Sequence, residues 1–278
     1  MILLAPAAGV LNQYAYNEAD GQSGQSNATG YTLSDATISE KTLVVLVIGQ
    51  SNGANDRPTK YTVANSTKLR MINPYNGSAY RLKDQQLGPN GANGNRYTKV
   101  FDTVISNGTG GFGSVIVQNI SRSGSGSRLW RGYRLSPGTN FQNAQVAVKR
   151  TRALGLYVPN ANVEHVVWIN FGETDKANSV TTAEWIANVQ DLRAGLLDVG
   201  LPASAKWFIN KETYENSGTS TDVQNAQTGI IDNVTYFAGA NCDQYTSATY
   251  RRGDGTHLTD TGHDTIAAAE VTALDAVY

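Results

Sequence analysis

The sequence predicts an α/β fold in which a parallel sheet is covered by helices on both faces. Residues 42–49 (TLVVLVIG) form an almost wholly apolar run rich in Val and Leu, typical of a strand buried on both faces. Further apolar runs at 113–120 and 163–171 alternate with segments of helical pattern. A chain of 278 residues is long enough to bury a large core in one domain of this kind.

Residues 1–40 differ in character from the rest of the chain. They have few periodic apolar positions and a centre of Gly, Ser, Asn and Thr (GQSGQSNATG). We therefore predict an N-terminal arm or linker over 1–40 that docks on another surface, and one domain over 41–278. The opening MILLAPAAGVL lacks a basic region, so we interpret it as a boundary rather than a signal peptide. No apolar run approaches the ~20 residues that cross a bilayer.

The elements after the first strand follow from apolar periodicity and from turn and capping residues. Thr181 and Glu184 have the spacing of a capping box, and Gly200 with Pro202 closes the helix that they open. In chain order we expect a hairpin at 68–73 and 78–82, a helix at 97–106, a strand at 113–120, a helix at 142–154, a strand at 163–171, a helix at 181–198, a strand at 206–210, a helix from Asp222 to about Phe237, and a last helix from near Gly262 to the C-terminus.

Composition narrows the class of partner. Charged residues make up 16% of the chain, with a net charge of -1. Nucleic acid and anionic membrane surfaces are therefore not expected as partners, because a basic excess would be needed to bind them. A surface built from Asn, Ser, Thr, Gln and Gly suits a protein that works outside the cell or on carbohydrate. Cys242 is the single cysteine, so it is expected to be a small buried residue and no internal disulfide can form.

Ser51 is the candidate nucleophile. The apolar strand ends in Gly49-Gln50-Ser51-Asn52-Gly53, which places one serine on a sharp turn at the carboxyl end of the strand. Ligands of open α/β sheets bind at that edge. Ser26 lies in a second Gly-Gln-Ser-Asn at 24–27, but no apolar strand precedes it, so nothing would fix its geometry.

The candidate base and acid are His257 and Asp254. They lie three residues apart in a Gly-rich loop before the last helix, a spacing at which a carboxylate can reach one imidazole nitrogen. The other nitrogen is then free to take a proton from a serine. Of the two remaining histidines, His165 lies within a strand pattern and His263 at a helix start, and both are expected to be structural. No zinc motif is present, so no metal or other cofactor is expected.

These motifs together resemble the SGNH/GDSL hydrolase superfamily. Gly-Gln-Ser-Asn at 49–52, Gly-Glu-x-Asp at 172–175 and Asp-x-x-His at 254–257 carry the resemblance, which spans about 43–278. The most similar branch is that of carbohydrate esterases resembling sialate O-acetylesterase and acetylxylan esterase. The resemblance implies a three-layer α/β/α sandwich with a flavodoxin-like parallel sheet. It also implies hydrolysis of an ester, often an O-acetyl group on a sugar, with Ser51, Asp254 and His257 as catalytic residues.

The oxyanion hole is where this chain departs from the branch. The resemblance implies backbone donors at Ser51 and at Gly124, with Gly126 as the alternative. Related esterases have a Gln where this chain has Phe171, which offers no donor. Asn170 is therefore expected as the third donor, with Thr174 as the alternative.

Three further residues are predicted to contact substrate, and the substrate is expected to be an O-acetylated oligo- or polysaccharide. These residues are Gln50, Trp130 and Glu173. Glu173 is also expected, with Asp175, to anchor loops by hydrogen bonds.

Other interpretations remain open at this stage. Residues 49–53 also fit the G-x-S-x-G elbow of α/β-hydrolases, but that fold needs several strands before the elbow and its acid usually lies well upstream of the histidine. A carbohydrate-binding or adhesion module could retain the hydrolase fold without catalysis. The composition and the N-terminal arm also resemble virion-associated deacetylases of phage tails, for which a homotrimer is expected. A secreted or periplasmic bacterial esterase is the alternative, and either would be extracellular.

Overall fold

A seven-stranded sheet lies at the centre of the computed structural model, which describes residues 24–278. The strand order is β3-β2-β4-β1-β5-β6-β7, and every neighbouring pair is parallel except β2 and β3. The strands are β1 (Thr42–Gly49), β2 (Leu69–Ile72), β3 (Ala79–Arg81), β4 (Ser114–Asn119), β5 (Val163–Asn170), β6 (Lys206–Lys211) and β7 (Tyr236–Asn241).

Helices cover both faces of this sheet, which confirms the predicted α/β/α sandwich. In the described part of the chain they are α1 (Arg96–Asn107), α2 (Ser127–Trp130), α3 (Phe141–Ala153), α4 (Glu173–Ala177), α5 (Thr182–Asp198), α6 (Thr221–Gly229) and α7 (Asp260–Asp275). Helices α1 and α7 pack on one face, and α3, α5 and α6 on the other. Strand β1 contributes alternate side chains to both layers, which explains why its sequence is apolar without alternation.

The sheet brings the carboxyl ends of three strands together. In the register of the central strands, Val47 of β1 lies beside Asn119 of β4, and Gly49 lies beside Asn170 of β5. The loops that follow β1, β4 and β5 therefore meet at one edge. This is the edge at which the sequence predicts a site.

Most predicted elements are confirmed, including the hairpin of β2 and β3 and the start of α5. The Thr181 side chain accepts a hydrogen bond from the Glu184 N–H at 3.3 Å, as the capping-box spacing predicts. Helix α5 is followed by Gly200, which has a positive φ of 102°.

The predicted helix from Asp222 to about Phe237 is wrong in its second half. Helix α6 ends at Gly229, and its N-cap is Ser220, whose side chain accepts from the Val223 N–H. The Asp232 carboxylate then accepts three successive backbone N–H groups, from Val234, Thr235 and Tyr236, at 2.7 to 2.8 Å. This Asx-type turn starts β7, an edge strand in which only Tyr236 and Ala240 are buried. Such a strand lacks the continuous apolar run that marks the central strands.

Residues 24–40 lie against the domain. Ser34 donates its N–H to the Ala79 carbonyl at 3.0 Å, and Arg81 donates to the Thr32 carbonyl at 2.9 Å, so this segment adds to the outer edge of β3. The rest of the predicted arm, residues 1–23, lies outside the described residues. The boundary at residue 40 stays a prediction. Within residues 24–278, no helix is long and apolar enough to cross a membrane.

Candidate active site

Ser51 lies in a tight 3-10 turn, Ser51–Gly53, directly after β1. The turn is pressed against neighbouring strands: a Cβ on Gly49 would lie 2.6 Å from the Asn170 carbonyl oxygen. A Cβ on Gly53 would lie 3.1 Å from the Ser121 hydroxyl. The two glycines therefore let the turn approach β5 and the loop after β4. Ser51 itself is only 5% exposed, so its hydroxyl is held in a narrow opening.

The structure brings Ser51, His257 and Asp254 together although 206 residues separate the serine from the histidine. The Ser51 hydroxyl lies 3.1 Å from His257 Nε2, and Asp254 Oδ2 lies 2.8 Å from His257 Nδ1. The Asp254 carboxylate favours the tautomer of His257 that has its proton on Nδ1. Nε2 is then the acceptor that faces the serine, as a general base requires. The three residues thus have the arrangement of a nucleophile, a base and an orienting acid.

Asp254 is an ionised anchor for the imidazole. Its Oδ1 also accepts the backbone N–H groups of Thr256 and His257, each at 2.9 Å. Partial burial raises the pKa of Asp254, but these hydrogen bonds and the bond to the His257 ring outweigh it and lower the pKa to about 2. The carboxylate therefore remains charged at neutral pH.

Two arginines hold the loop that carries His257. Arg252 pairs with Asp56 at 2.9 Å, and its backbone N–H donates to the His257 carbonyl at 2.7 Å. Arg251 is buried and donates to the carbonyls of Thr256 and Cys242 at 2.6 and 2.9 Å. The loop is thereby tied to the segment after Ser51 and to the segment after β7.

Asn52 joins the serine turn to both neighbouring loops. Its Nδ2 donates to Glu173 Oε1 at 2.6 Å, and its Oδ1 accepts the Leu258 N–H at 3.2 Å. Glu173 is 1% exposed, and burial raises the pKa of its carboxyl well above the ordinary value, with the nearby Glu212 adding to the shift. The substrate contact expected of Glu173 is therefore not supported, because the side chain lies beneath the site as an anchor. Sequence reasoning missed Asn52, although it belongs to the motif that marks Ser51.

The two backbone amides expected in the oxyanion hole are those of Ser51 and Gly124. Within residues 24–278, neither the Ser51 nor the Gly124 N–H has a protein acceptor. Gly124 is exposed and has a positive φ of 71°, in a turn closed by the Ser125 N–H and the Arg122 carbonyl. The alternative, Gly126, is buried where a Cβ would lie 2.6 Å from Asp175 Oδ1. Of the two glycines, the geometry favours Gly124.

The structure does not support Asn170 as the third oxyanion donor. Asn170 is completely buried under the serine turn, and its Nδ2 donates to the Tyr97 hydroxyl at 3.2 Å. Thr174 is half-buried, and its backbone N–H donates to Gln50 Oε1 at 3.2 Å. Phe171 packs in the core, 5.8 Å from the Trp185 ring centroid, and offers no donor. Asn170 has a structural role because its side chain supports the turn from below.

Trp130 also lies away from any substrate. It is 0% exposed, belongs to the core beneath α3 and α5, and donates its indole N–H to the Ser125 hydroxyl at 2.9 Å. The predicted substrate contact is therefore not supported. A buried indole needs an acceptor for its N–H, and here that acceptor lies in the turn that carries Gly124. Trp130 supports the turn rather than a sugar ring.

The two other histidines, Ser26 and Cys242 lie where the sequence predicts. His165 is buried, with Nε2 at 2.8 Å from the Leu156 carbonyl, and His263 is buried in α7. Ser26 is exposed and no strand precedes it among the described residues. Cys242 is buried. Residues 24–278 contain no group of three or more His, Cys, Asp or Glu side chains placed to hold a metal ion.

Comparison with known proteins identifies the fold. No protein-family model and no curated protein matches the sequence. Among solved structures, a protein from Arabidopsis thaliana aligns with TM-score 0.59 and 13% identity over 84% of this chain and 98% of that one. NanS aligns with TM-score 0.53 and 16% identity over 86% and 98% of the two chains. A carbohydrate esterase family 3 protein from Talaromyces cellulolyticus aligns with TM-score 0.49 and 14% identity over 84% and 96%. At these identities the likeness is one of fold alone: the chain shares its α/β/α fold with the Arabidopsis protein and with NanS.

Proposed function

We propose that the protein is a serine esterase that removes O-acetyl groups, or other short acyl groups, from a carbohydrate. The observation that carries the proposal is the hydrogen-bonded series Ser51–His257–Asp254, with distances of 3.1 and 2.8 Å at the carboxyl edge of the sheet. Nucleophile, base and acid in this order are the requirement for acyl transfer through a covalent intermediate.

The reaction has two halves. His257 Nε2 takes the Ser51 proton as Oγ attacks the ester carbonyl carbon, and the carbonyl π electrons move to the oxygen. The tetrahedral intermediate then collapses, and the sugar oxygen leaves with the proton from His257, which yields acetyl-Ser51. A water that gives one proton to His257 attacks this ester, the bond between the acyl carbon and Ser51 Oγ breaks, acetic acid leaves, and His257 returns the proton to Ser51 Oγ. Asp254 stabilises the imidazolium in both halves without accepting the proton.

The oxyanion of both intermediates would be bound by the N–H groups of Ser51 and Gly124. The turns that carry these two N–H groups are hydrogen-bonded to each other. Arg122 donates its N–H to the Gly49 carbonyl at 2.9 Å, and Ser125 Oγ donates to the same carbonyl at 3.0 Å. Donors fixed in advance cost no reorganisation when charge develops.

A carbohydrate substrate is supported by the charge pattern around the site. Two cations of the surrounding loops are already engaged within the protein: Arg252 pairs with Asp56, and Lys176 donates to the carbonyls of Glu215 and Gly218. The segments 123–127 (SGSGS) and 216–220 (NSGTS) offer only Ser, Gly, Asn and Thr, which suits an uncharged, hydroxyl-rich ligand. We further propose an extracellular location, with assembly as a trimer if the protein is part of a phage tail.

Hydrolysis of p-nitrophenyl acetate by the parent and by Ser51→Ala tests the esterase. The proposal expects turnover in the parent and loss of it in the variant. A folded parent without turnover would favour the alternative of a carbohydrate-binding module. Mass spectrometry of O-acetylated polysaccharides before and after treatment then tests the substrate: loss of acetyl groups is expected, and their retention on every polysaccharide would reject deacetylation of carbohydrate.

A further inference from the structure

The Gln50 side chain is fixed in one orientation. Its Oε1 accepts two backbone N–H groups, from Gly172 at 3.3 Å and from Thr174 at 3.2 Å. A flipped amide would set its NH₂ group against these two donors, so the contacts determine which end is oxygen. The amino group must therefore point away from the loop between β5 and α4.

The Gln50 amino group is a free donor beside the nucleophile. Gln50 is 2% exposed, yet Nε2 has no acceptor among residues 24–278 and is not sealed from solvent. The little surface that this residue retains thus includes its amino group, one position before Ser51. A fixed, unpaired N–H donor in an otherwise buried side chain is what electrostatic stabilisation of a transition state requires.

Neither Phe171 nor Asn170 supplies a third side-chain donor. Phe171 occupies the position where related esterases have a Gln, and it is buried in the core. The Asn170 amide is committed to Tyr97, and the Thr174 N–H is committed to Gln50 itself. The loop that should supply the donor instead orients the Gln50 amide.

We propose that Gln50 Nε2 is the third donor of the oxyanion hole, together with the N–H groups of Ser51 and Gly124. This inference rests on the proposed esterase function and adds a catalytic residue to it. Gln50 then replaces the side chain missing at position 171. Its hydrogen bond strengthens as negative charge develops on the carbonyl oxygen, so it acts on kcat more than on KM.

Two substitutions remove the donor in different ways. Gln50→Glu keeps an oxygen acceptor for the N–H groups of Gly172 and Thr174 but replaces the amino group by oxygen. Gln50→Met keeps the length and loses both functions. Gln142→Glu makes the same chemical change at an exposed position of α3 and serves as the matched control. Thermal melts establish that each variant is folded.

Steady-state kinetics on p-nitrophenyl acetate and the rate of Ser51 phosphonylation by an activated phosphonate test the proposal. We expect kcat to fall about 10²- to 10³-fold in Gln50→Glu and Gln50→Met, with KM changed by less than about threefold and phosphonylation slowed in parallel. The control should retain parental values. Folded Gln50 variants with kcat within about threefold of the parent would overturn this inference alone. A parent without Ser51-dependent turnover would overturn the proposed function as well.

Discussion

Asn52 Nδ2 donates to Glu173 Oε1 at 2.6 Å, and through this bond the serine turn is anchored to the loop after β5. The same side chain accepts the N–H of Leu258, the residue that follows His257. One buried amide therefore helps to fix the distance between the nucleophile and its base. Because both partners are almost completely buried, no water can replace them without cost.

Asn52→Ala should loosen the contact between Ser51 and His257. We expect kcat on p-nitrophenyl acetate to fall by about tenfold or more, and the free energy of unfolding to fall by about 1 to 3 kcal/mol because the Glu173 carboxyl loses its partner. Hydrogen exchange at the Leu258 amide should accelerate. Glu173→Gln retains an acceptor for Asn52 and should keep most of the activity. Unchanged exchange at Leu258 in folded Asn52→Ala would contradict this role.

Asp254→Asn should lose most catalytic activity at every pH. The pKa of Asp254 is lowered to about 2, so any stability from its ionisation is present above pH about 4 and is lost only as pH falls toward 2. The carboxylate thus stays charged across the range in which activity is measured. An amide at this position favours the wrong tautomer of His257, which costs on the order of 10⁴ in kcat for a triad of this type. A variant with more than a tenth of parental kcat between pH 6 and 8 would show that Asp254 does not orient the base.

Asp175 should make stability fall as pH rises. Burial raises the pKa of this carboxyl to about 6, although hydrogen bonds from Ser127 and Trp185 oppose the shift. Between pH about 4 and 6 the folded state therefore holds a proton that the unfolded state has lost. The contribution of Asp175 to the free energy of unfolding should decrease by about 3 kcal/mol across this window and then stay level.

Urea denaturation at several pH values tests this dependence. Asp175→Asn cannot ionise, so it should lack the decrease, whereas the exposed Asp198→Asn should retain it. An identical pH slope in Asp175→Asn and the parent would assign the titration to another group.

Trp130→Phe should affect folding more than substrate binding. It removes the indole N–H that donates to Ser125 and leaves a small void in the core, so we expect a loss of about 1 to 3 kcal/mol in the free energy of unfolding. KM for an acetylated polysaccharide should stay within about twofold of the parent, because the ring does not reach the surface. A tenfold rise in KM with unchanged stability would restore the predicted sugar contact.

The central features of the fold were predictable because they depend on local patterns. The apolar run at 42–49 marks a strand buried on both faces, and Thr181 with Glu184 marks a helix start, and both are confirmed. Strand β7 was missed because an edge strand needs only one apolar face, and because the turn at Asp232 depends on hydrogen bonds rather than on Gly or Pro.

The candidate site was predictable as a motif but not as a surface. The structure places Ser51, Asp254 and His257 within hydrogen-bonding distance, as the motifs suggest. The burial of Trp130, Glu173 and Asn170 could not be predicted from the sequence. A side chain beside a catalytic turn can point to the ligand or beneath the turn, and tertiary packing decides which. The catalytic roles of Ser51, Asp254 and His257 stay a prediction.

The central claim is that Ser51 forms a covalent acyl-enzyme, and rapid-quench mass spectrometry tests it most directly. The parent is mixed with p-nitrophenyl acetate, quenched in acid during the first turnovers, digested and mapped, with Ser51→Ala as the control. The account predicts an acetyl group on the Ser51 peptide that appears with the first p-nitrophenol released and is absent from the control. Turnover by the parent with no acetyl group on Ser51, or with the group on another residue, would contradict it.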